Sequence, residues 1–149
     1  MRRLLQAVLA VAIAAGVTLA GYAVAGSDEG GTRRTVEQGV RTVNIAVHYS
    51  HFSLKKLHVR QGTLVRFVVY NHDPINHELI VGGPAVQRAH ERGSELTHPP
   101  VPGEVSVGPD DTGLTAYRFD QPGTVVFACH LPGHFKYGMH GEIEVDPAQ

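Results

Sequence analysis

From residue 41 to residue 149 the sequence is a succession of short runs in which apolar and polar residues alternate, and each run ends near Gly, Pro, Asn or Asp. The run RTVNIAVHY places Val43, Ile45 and Val47 on one face of an extended chain, and LVRFVVYN repeats the pattern after a Gln-Gly turn. About seven such runs predict an all-β fold, a two-sheet antiparallel β-sandwich with Greek-key connections.

One helix interrupts this pattern. It is predicted over PAVQRAHER, residues 84–92, because Pro84 suits the first position of a helix and Gly93 suits the residue after its end. The prolines of the following stretch, SELTHPPVPG, exclude regular structure there. We therefore expect one short helix within an insertion between strands.

The N-terminus carries an export signal. Arg2 and Arg3 precede an uncharged apolar run that ends at Ala25, which is typical of a secretory signal peptide. The run of residues 4–25 also approaches the roughly 20 residues that span a bilayer, so an uncleaved membrane anchor is the alternative. Either form predicts an exported chain that is periplasmic, extracellular or tethered to the outer face of the cytoplasmic membrane. The expected organisation is a signal peptide or anchor (1–25), a polar, glycine-rich flexible linker (26–40) and one domain (41–149).

Charge and cysteine content narrow the function classes. The formal net charge of −1 offers no basic surface for nucleic acid. Cys129 is the only cysteine, and exported thiols usually pair as disulfides. Without a partner in its own chain, Cys129 is an intermolecular bridge, a buried free thiol or a metal ligand.

The segment CHLPGHFKYGMH, residues 129–140, brings together three kinds of soft or borderline ligand. Cys129, His134 and Met139 are spaced as Cys-x4-His-x4-Met around a Pro-Gly turn, so one loop can return all three to a single metal. Two histidines, one cysteine and a weak axial methionine define a blue-copper site. Structural zinc sites have no use for a thioether, and no Gly-rich nucleophile motif supports thiol catalysis.

The missing ligand is a second histidine. His77 begins the run HELIV after the turn NHDPIN, and in a sandwich this places it at the same end as the loop after Cys129. His72, in the preceding turn, is the alternative. The remaining histidines outside the loop are interpreted as surface residues.

The segment FACHLPGHFKYGMHGEIEV resembles the C-terminal signature of the cupredoxins, the blue type 1 copper proteins of the azurin, auracyanin, rusticyanin and plastocyanin type. The resemblance spans roughly residues 41–146. It implies one type 1 copper per chain, with His77, Cys129, His134 and Met139 as ligands.

Two residues depart from that family pattern. Glu78 follows the first histidine where Asn or Ser is common, and His130 follows the cysteine where Thr is frequent. Residues around the ligands tune the affinity and potential of a metal more than they change the ligand set.

The function expected from these features is one-electron transfer outside the cytoplasmic membrane, without enzymatic conversion of a substrate. We expect a monomer whose redox partners include a membrane oxidase or dehydrogenase complex, with membrane contact through residues 4–25. An apolar docking surface is predicted around His134, formed by Leu131, Pro132, Gly133, Phe135 and Tyr137.

Two alternatives stay open. The ten histidines and Glu78 are also compatible with a copper chaperone or copper-resistance protein that delivers copper to an acceptor. A sandwich without any metal, with a structural or adhesive role, is the third class.

Overall fold

The computed structural model describes residues 39–92, 97 and 101–149, and the alternating runs form strands throughout this part. The predicted signal peptide or anchor and most of the predicted linker lie outside the described residues. The strands are β1 (Val40–His48), β2 (His51–Phe52), β3 (Lys56–Arg60), β4 (Leu64–Asn71), β5 (His77–Gly82), β6 (Glu104–Val107), β7 (Thr112–Arg118), β8 (Gly123–Ala128) and β9 (His140–Asp146).

The strands form two sheets that share one apolar core. The smaller sheet has the order β2-β1-β4-β7, and the larger has the order β3-β9-β8-β5-β6. Alternate residues of β1 and β4 point into the core, where Ile45, Val47, Val65, Phe67 and Val69 are fully buried. The predicted β-sandwich is therefore present.

The prediction that the sandwich is antiparallel was wrong for two strand pairs. Strand β1 runs parallel to β4, with Val40 opposite Leu64, and β3 runs parallel to β9, with Lys56 opposite Glu142. Parallel neighbours require a crossover between them. The chain makes one by passing through β3, which belongs to the other sheet, before it returns as β4.

The helix α1 (Pro84–Arg92) has the predicted bounds and covers part of the larger sheet. The buried amide of Gln87 donates hydrogen bonds to the carbonyls of Ile80, Gly82 and Val126, which ties the helix to β5 and β8. Strand β5 is consequently buried on both faces. In the described part of the chain, no helix is long and apolar enough to cross a membrane.

Candidate metal centre

The topology brings the predicted ligands to one end of the larger sheet. His77 is the first residue of β5, and Cys129 directly follows β8. These strands are antiparallel neighbours, with Ile80 opposite Ala128, so the start of β5 lies beside the end of β8. His134 and Met139 belong to the loop between β8 and β9.

Three of the four predicted ligands form a compact cluster. The candidate ligand atoms of His77, Cys129 and His134 all lie within 4.8 Å of one another. The Cys129 Sγ is 3.2 Å from the His134 Nδ1, and the two imidazole ring centroids are 4.9 Å apart. His77 and Cys129 are buried, whereas His134 is half-buried at the edge of the cluster. Their assignment as copper ligands remains a prediction, but the structure brings them together.

One buried atom shows that the cluster suits a metal. The Nε2–H of His77 donates to the Asp73 carboxylate at 2.9 Å, because an ionised carboxylate can only accept. The Nδ1 of His77 is then unprotonated, and it is buried without a hydrogen-bond partner. A buried nitrogen without a partner is costly, and a metal ion in the cluster would satisfy it.

Asp73 holds His77 in this tautomer and is itself firmly anchored. Its two carboxylate oxygens accept the backbone N–H groups of Tyr49 and Ser50, each at 2.7 Å. Burial raises the pKa of Asp73, but these two hydrogen bonds and the His77 ring outweigh it and leave that pKa below its usual value. Asp73 was not predicted from the sequence. Its position in the turn NHDPIN, four residues before His77, was the available signal, because a carboxylate near a metal-binding histidine often accepts a hydrogen bond from its ring.

The cysteine sits in an apolar environment that keeps its thiol protonated without a metal. Burial raises the pKa of Cys129 to about 12, although the backbone N–H groups of Glu78 and Leu131 hydrogen-bond the sulfur and oppose this shift. Burial also lowers the pKa of both His77 and His134, which favours neutral imidazoles. Neutral imidazole is the form that binds metals, and a thiol loses its proton when it becomes a ligand.

The loop that carries His134 and Met139 is held by its own backbone. The N–H of Cys129 donates to the Met139 carbonyl, and the N–H of Met139 donates to the His134 carbonyl, each at 3.0 Å. Gly138 has a φ of 93°, which favours glycine directly before Met139. The Met139 side chain is fully buried. These backbone hydrogen bonds link all three loop residues to one another.

A family comparison identifies the family of the chain. The sequence profile of a family described as multicopper oxidase matches residues 30–149. The chain belongs to this family.

Relatives and solved structures agree with a cupredoxin-like fold. The chain is 34% identical over 110 residues to the copper-resistant cuproprotein CopI of Rubrivivax gelatinosus, covering 70% of this chain and 66% of that protein. It is 28% identical over 151 residues to auracyanin-B of Chloroflexus aurantiacus, covering 90% of this chain and 64% of that protein. The chain thus spans just under two thirds of these relatives. The structure of a dithionite-reduced auracyanin from Roseiflexus castenholzii superposes with a TM-score of 0.60 at 22% identity, covering 71% of this chain and 97% of that one.

The cofactor of this cupredoxin-like domain is copper, and the His-Cys-His cluster provides the donor set that copper prefers. Copper bound there would supply a one-electron Cu(II)/Cu(I) couple. The alternative ligand His72 is excluded from the cluster by its position, because its exposed ring stacks on His48 with a centroid distance of 4.4 Å.

The two residues that depart from the family pattern form one polar connection beside the cluster. A carboxylate oxygen of the buried Glu78 accepts the backbone N–H of His130 at 2.7 Å. The His130 ring faces away from the cluster and donates its Nε2–H to the Gln87 amide oxygen at 2.6 Å. Glu78 takes the place of the smaller polar residue and fixes the backbone directly after Cys129.

Most residues predicted to form an apolar docking surface reach the protein surface. Pro132 and Gly133 are exposed, and Tyr137 is 76% exposed beside the half-buried His134. Phe135 is half-buried between the rings of His130 and His140, with centroid distances of 5.1 and 4.8 Å. Leu131 was wrongly included, because its side chain packs into the core with only 7% exposed.

Glu78→Gln tests whether the buried carboxylate tunes the copper. The amide oxygen of glutamine can still accept the His130 N–H, so the change removes a charge and keeps the shape. A negative charge near the metal favours Cu(II), and we expect its removal to raise the reduction potential by on the order of 50 mV. Potentiometry measures the shift, with the exposed Glu142→Gln as the matched control. An unchanged or lower potential in Glu78→Gln would contradict this role.

Met139→Leu tests the axial position. Leucine has a similar volume, so the core loses less than about 1.5 kcal/mol. We expect the variant to keep its thiolate-to-copper absorption and to show a higher reduction potential, because a weak axial donor has been replaced by a hydrocarbon. Visible spectra and potentiometry of the copper-loaded variant measure both quantities. Complete loss of copper binding would show that Met139 is not a weak axial ligand.

Proposed function

We propose that this protein is an extracytoplasmic one-electron carrier, in which His77, Cys129, His134 and Met139 hold one type 1 copper. The observation that carries this proposal is the buried Nδ1 of His77, which has no hydrogen-bond partner. His77 belongs to a cluster with Cys129 and His134 whose candidate ligand atoms all lie within 4.8 Å of one another. This arrangement supports a metal site formed by these groups.

The fixed positions of the candidate ligands are suited to electron transfer. Asp73 fixes the His77 ring, and the loop hydrogen bonds fix Cys129 against Met139. A scaffold that holds its ligands in one geometry gives Cu(II) and Cu(I) similar environments, so little reorganisation accompanies the gain or loss of an electron. In this proposal no substrate is transformed, and the protein is not an enzyme.

His134 is the proposed port for electrons. It is the least buried of the clustered ligands, and Pro132, Gly133 and Tyr137 lie exposed in its loop. Redox complexes typically bury small interfaces, and this short loop fits that class. We propose that the monomeric domain docks here with a redox partner such as a membrane oxidase or dehydrogenase complex, after export by its N-terminal segment, with residues 1–25 cleaved or kept as a tether.

A role in copper resistance is the second candidate, because the Rubrivivax gelatinosus relative is named a copper-resistant cuproprotein. A protein that delivers copper must release it to an acceptor. The burial of His77, Cys129 and Met139 disfavours rapid release, since only His134 reaches the edge of the cluster.

An electron carrier releases an electron and keeps its copper, whereas a copper-delivery protein releases the copper itself. The reduced copper protein is mixed in separate experiments with an oxidised redox protein and with a Cu(I) chelator that serves as acceptor. We expect electron transfer in less time than it takes for copper to move to the chelator. Faster copper transfer than electron transfer would favour the resistance role and contradict the carrier role.

A further inference from the structure

Three histidines lie in a row on the outer face of the smaller sheet, apart from the cluster described above. His48 ends β1, His51 begins β2, and His72 directly follows β4. His48 is paired with His51 in the strand register, and the His72 N–H donates to the Val47 carbonyl, which continues the ladder between β1 and β4. The three residues therefore occupy adjacent positions on three neighbouring strands.

The side chains of this row share the solvent-facing side of the sheet. All three histidines are exposed, whereas their chain neighbours Val47, Phe52 and Asn71 are buried on the other side. Residues in register on neighbouring strands point to the same face, with strands about 4.8 Å apart. The rings of His48 and His72 have centroids 4.4 Å apart and planes inclined by only 9°.

The ring nitrogens are free to bind a cation. Within the described residues, neither the His48 nor the His72 imidazole makes a hydrogen bond, and both rings lie against other aromatic rings. The Nδ1–H of His51 donates to the Tyr49 carbonyl at 2.7 Å, so its Nε2 carries a lone pair. A histidine whose other nitrogen donates to a backbone carbonyl is the usual arrangement of a metal ligand.

The pair offers two donors to one ion. Neutral imidazole rings in register on neighbouring strands present their lone pairs on the same face of the sheet. Imidazole nitrogens bind such a metal at about 2.0–2.1 Å, so the stacked rings must rotate until one nitrogen of each points to the same ion. The β-sheet register holds the backbone positions of the pair.

We propose that His48, His72 and His51 form a second, solvent-exposed metal site that takes a borderline divalent cation, with Cu(II) as the tightest-binding biological ion of this class. Imidazole ligands bind Cu(II) more strongly than the other first-row divalent ions. The site contains no thiolate, so copper there lacks the intense charge-transfer absorption of the buried centre. It is separate from the site of the proposed electron carrier and does not depend on that function.

The test uses untagged protein whose buried centre already holds one copper. A further equivalent of Cu(II) is added, and the bound copper is counted by electron paramagnetic resonance and calorimetry. We expect a second Cu(II) with nitrogen hyperfine structure and no change in the thiolate-to-copper absorption. His48→Gln/His72→Gln should weaken this second event at least tenfold, and His51→Gln should weaken it less.

The control is His58→Gln, an exposed histidine on β3 of the other sheet, which should bind the second Cu(II) as the wild type does. The absorption of the buried centre reports the fold of every variant. Binding of only one copper by the wild type would overturn the proposal, and so would a second copper that His48→Gln/His72→Gln retains at wild-type affinity. Neither result bears on the electron-carrier role, which is tested by electron and copper transfer from the buried centre.

Discussion

Cys129→Ser removes the thiolate-to-copper absorption completely. This band arises from the bond between the thiolate and Cu(II), and a serine hydroxyl cannot replace the thiolate as donor. Because Cys129 is fully buried and serine is slightly smaller, the apoprotein should fold with a loss of about 1–3 kcal/mol from burying the hydroxyl. Titration of both apoproteins with Cu(II), followed in the visible spectrum, measures the effect.

The matched control for this substitution is His140→Gln, because His140 lies next to the loop but is exposed and stacks on Phe135. We expect it to keep the absorption at one copper per chain. An intense visible band that survives in Cys129→Ser would mean that the copper is bound elsewhere, and the assignment of the buried centre would be wrong.

Asp73→Asn has the next largest expected effect, because one carboxylate serves both the fold and the metal. Its oxygens accept two backbone N–H groups from the turn after β1 and also the Nε2–H of His77. An asparagine has one acceptor oxygen, so at least one donor loses its partner. We expect copper affinity to fall 10–100-fold, the usual cost of removing such a ligand-orienting group.

The same change should destabilise the apoprotein by about 2 kcal/mol, because hydrogen bonds to a charged group contribute about 1.5–3 kcal/mol each and solvent replaces part of them. Competition with a copper chelator measures the affinity, and urea unfolding measures the free energy. Asp120→Asn, an exposed aspartate in the turn before β8, is the control and should change neither. Wild-type copper affinity in Asp73→Asn would show that His77 needs no orienting carboxylate.

Local patterns in the sequence were enough to predict most strands, the helix and the loop that carries the candidate ligands. Alternation located the major strands, Pro84 predicted the start of the helix, and the loop after Cys129 carried its candidate ligands within a few residues. Such features depend on neighbours in the chain, which a sequence displays directly. Strand β2 was missed because its two residues are too short to show any alternation.

Features that depend on distant residues were not predictable in this way. The parallel pairing of β1 with β4 follows from a crossover between sheets, which alternation does not encode. The anchoring of Asp73 by the turn after β1 and the contact of His130 with Gln87 each join segments far apart in the chain. The place of His77 in the cluster also follows from distant pairing, because β5, which it begins, lies beside β8.

The central claim is that one copper cycles between two oxidation states without leaving the protein. Spectroelectrochemical titration of the copper-loaded wild type tests it most directly. We predict that the thiolate-to-copper absorption disappears on reduction and returns fully on oxidation, with a one-electron slope of about 59 mV per tenfold change in the ratio of the two forms. Loss of copper on reduction, or an absorption that does not return, would contradict the account.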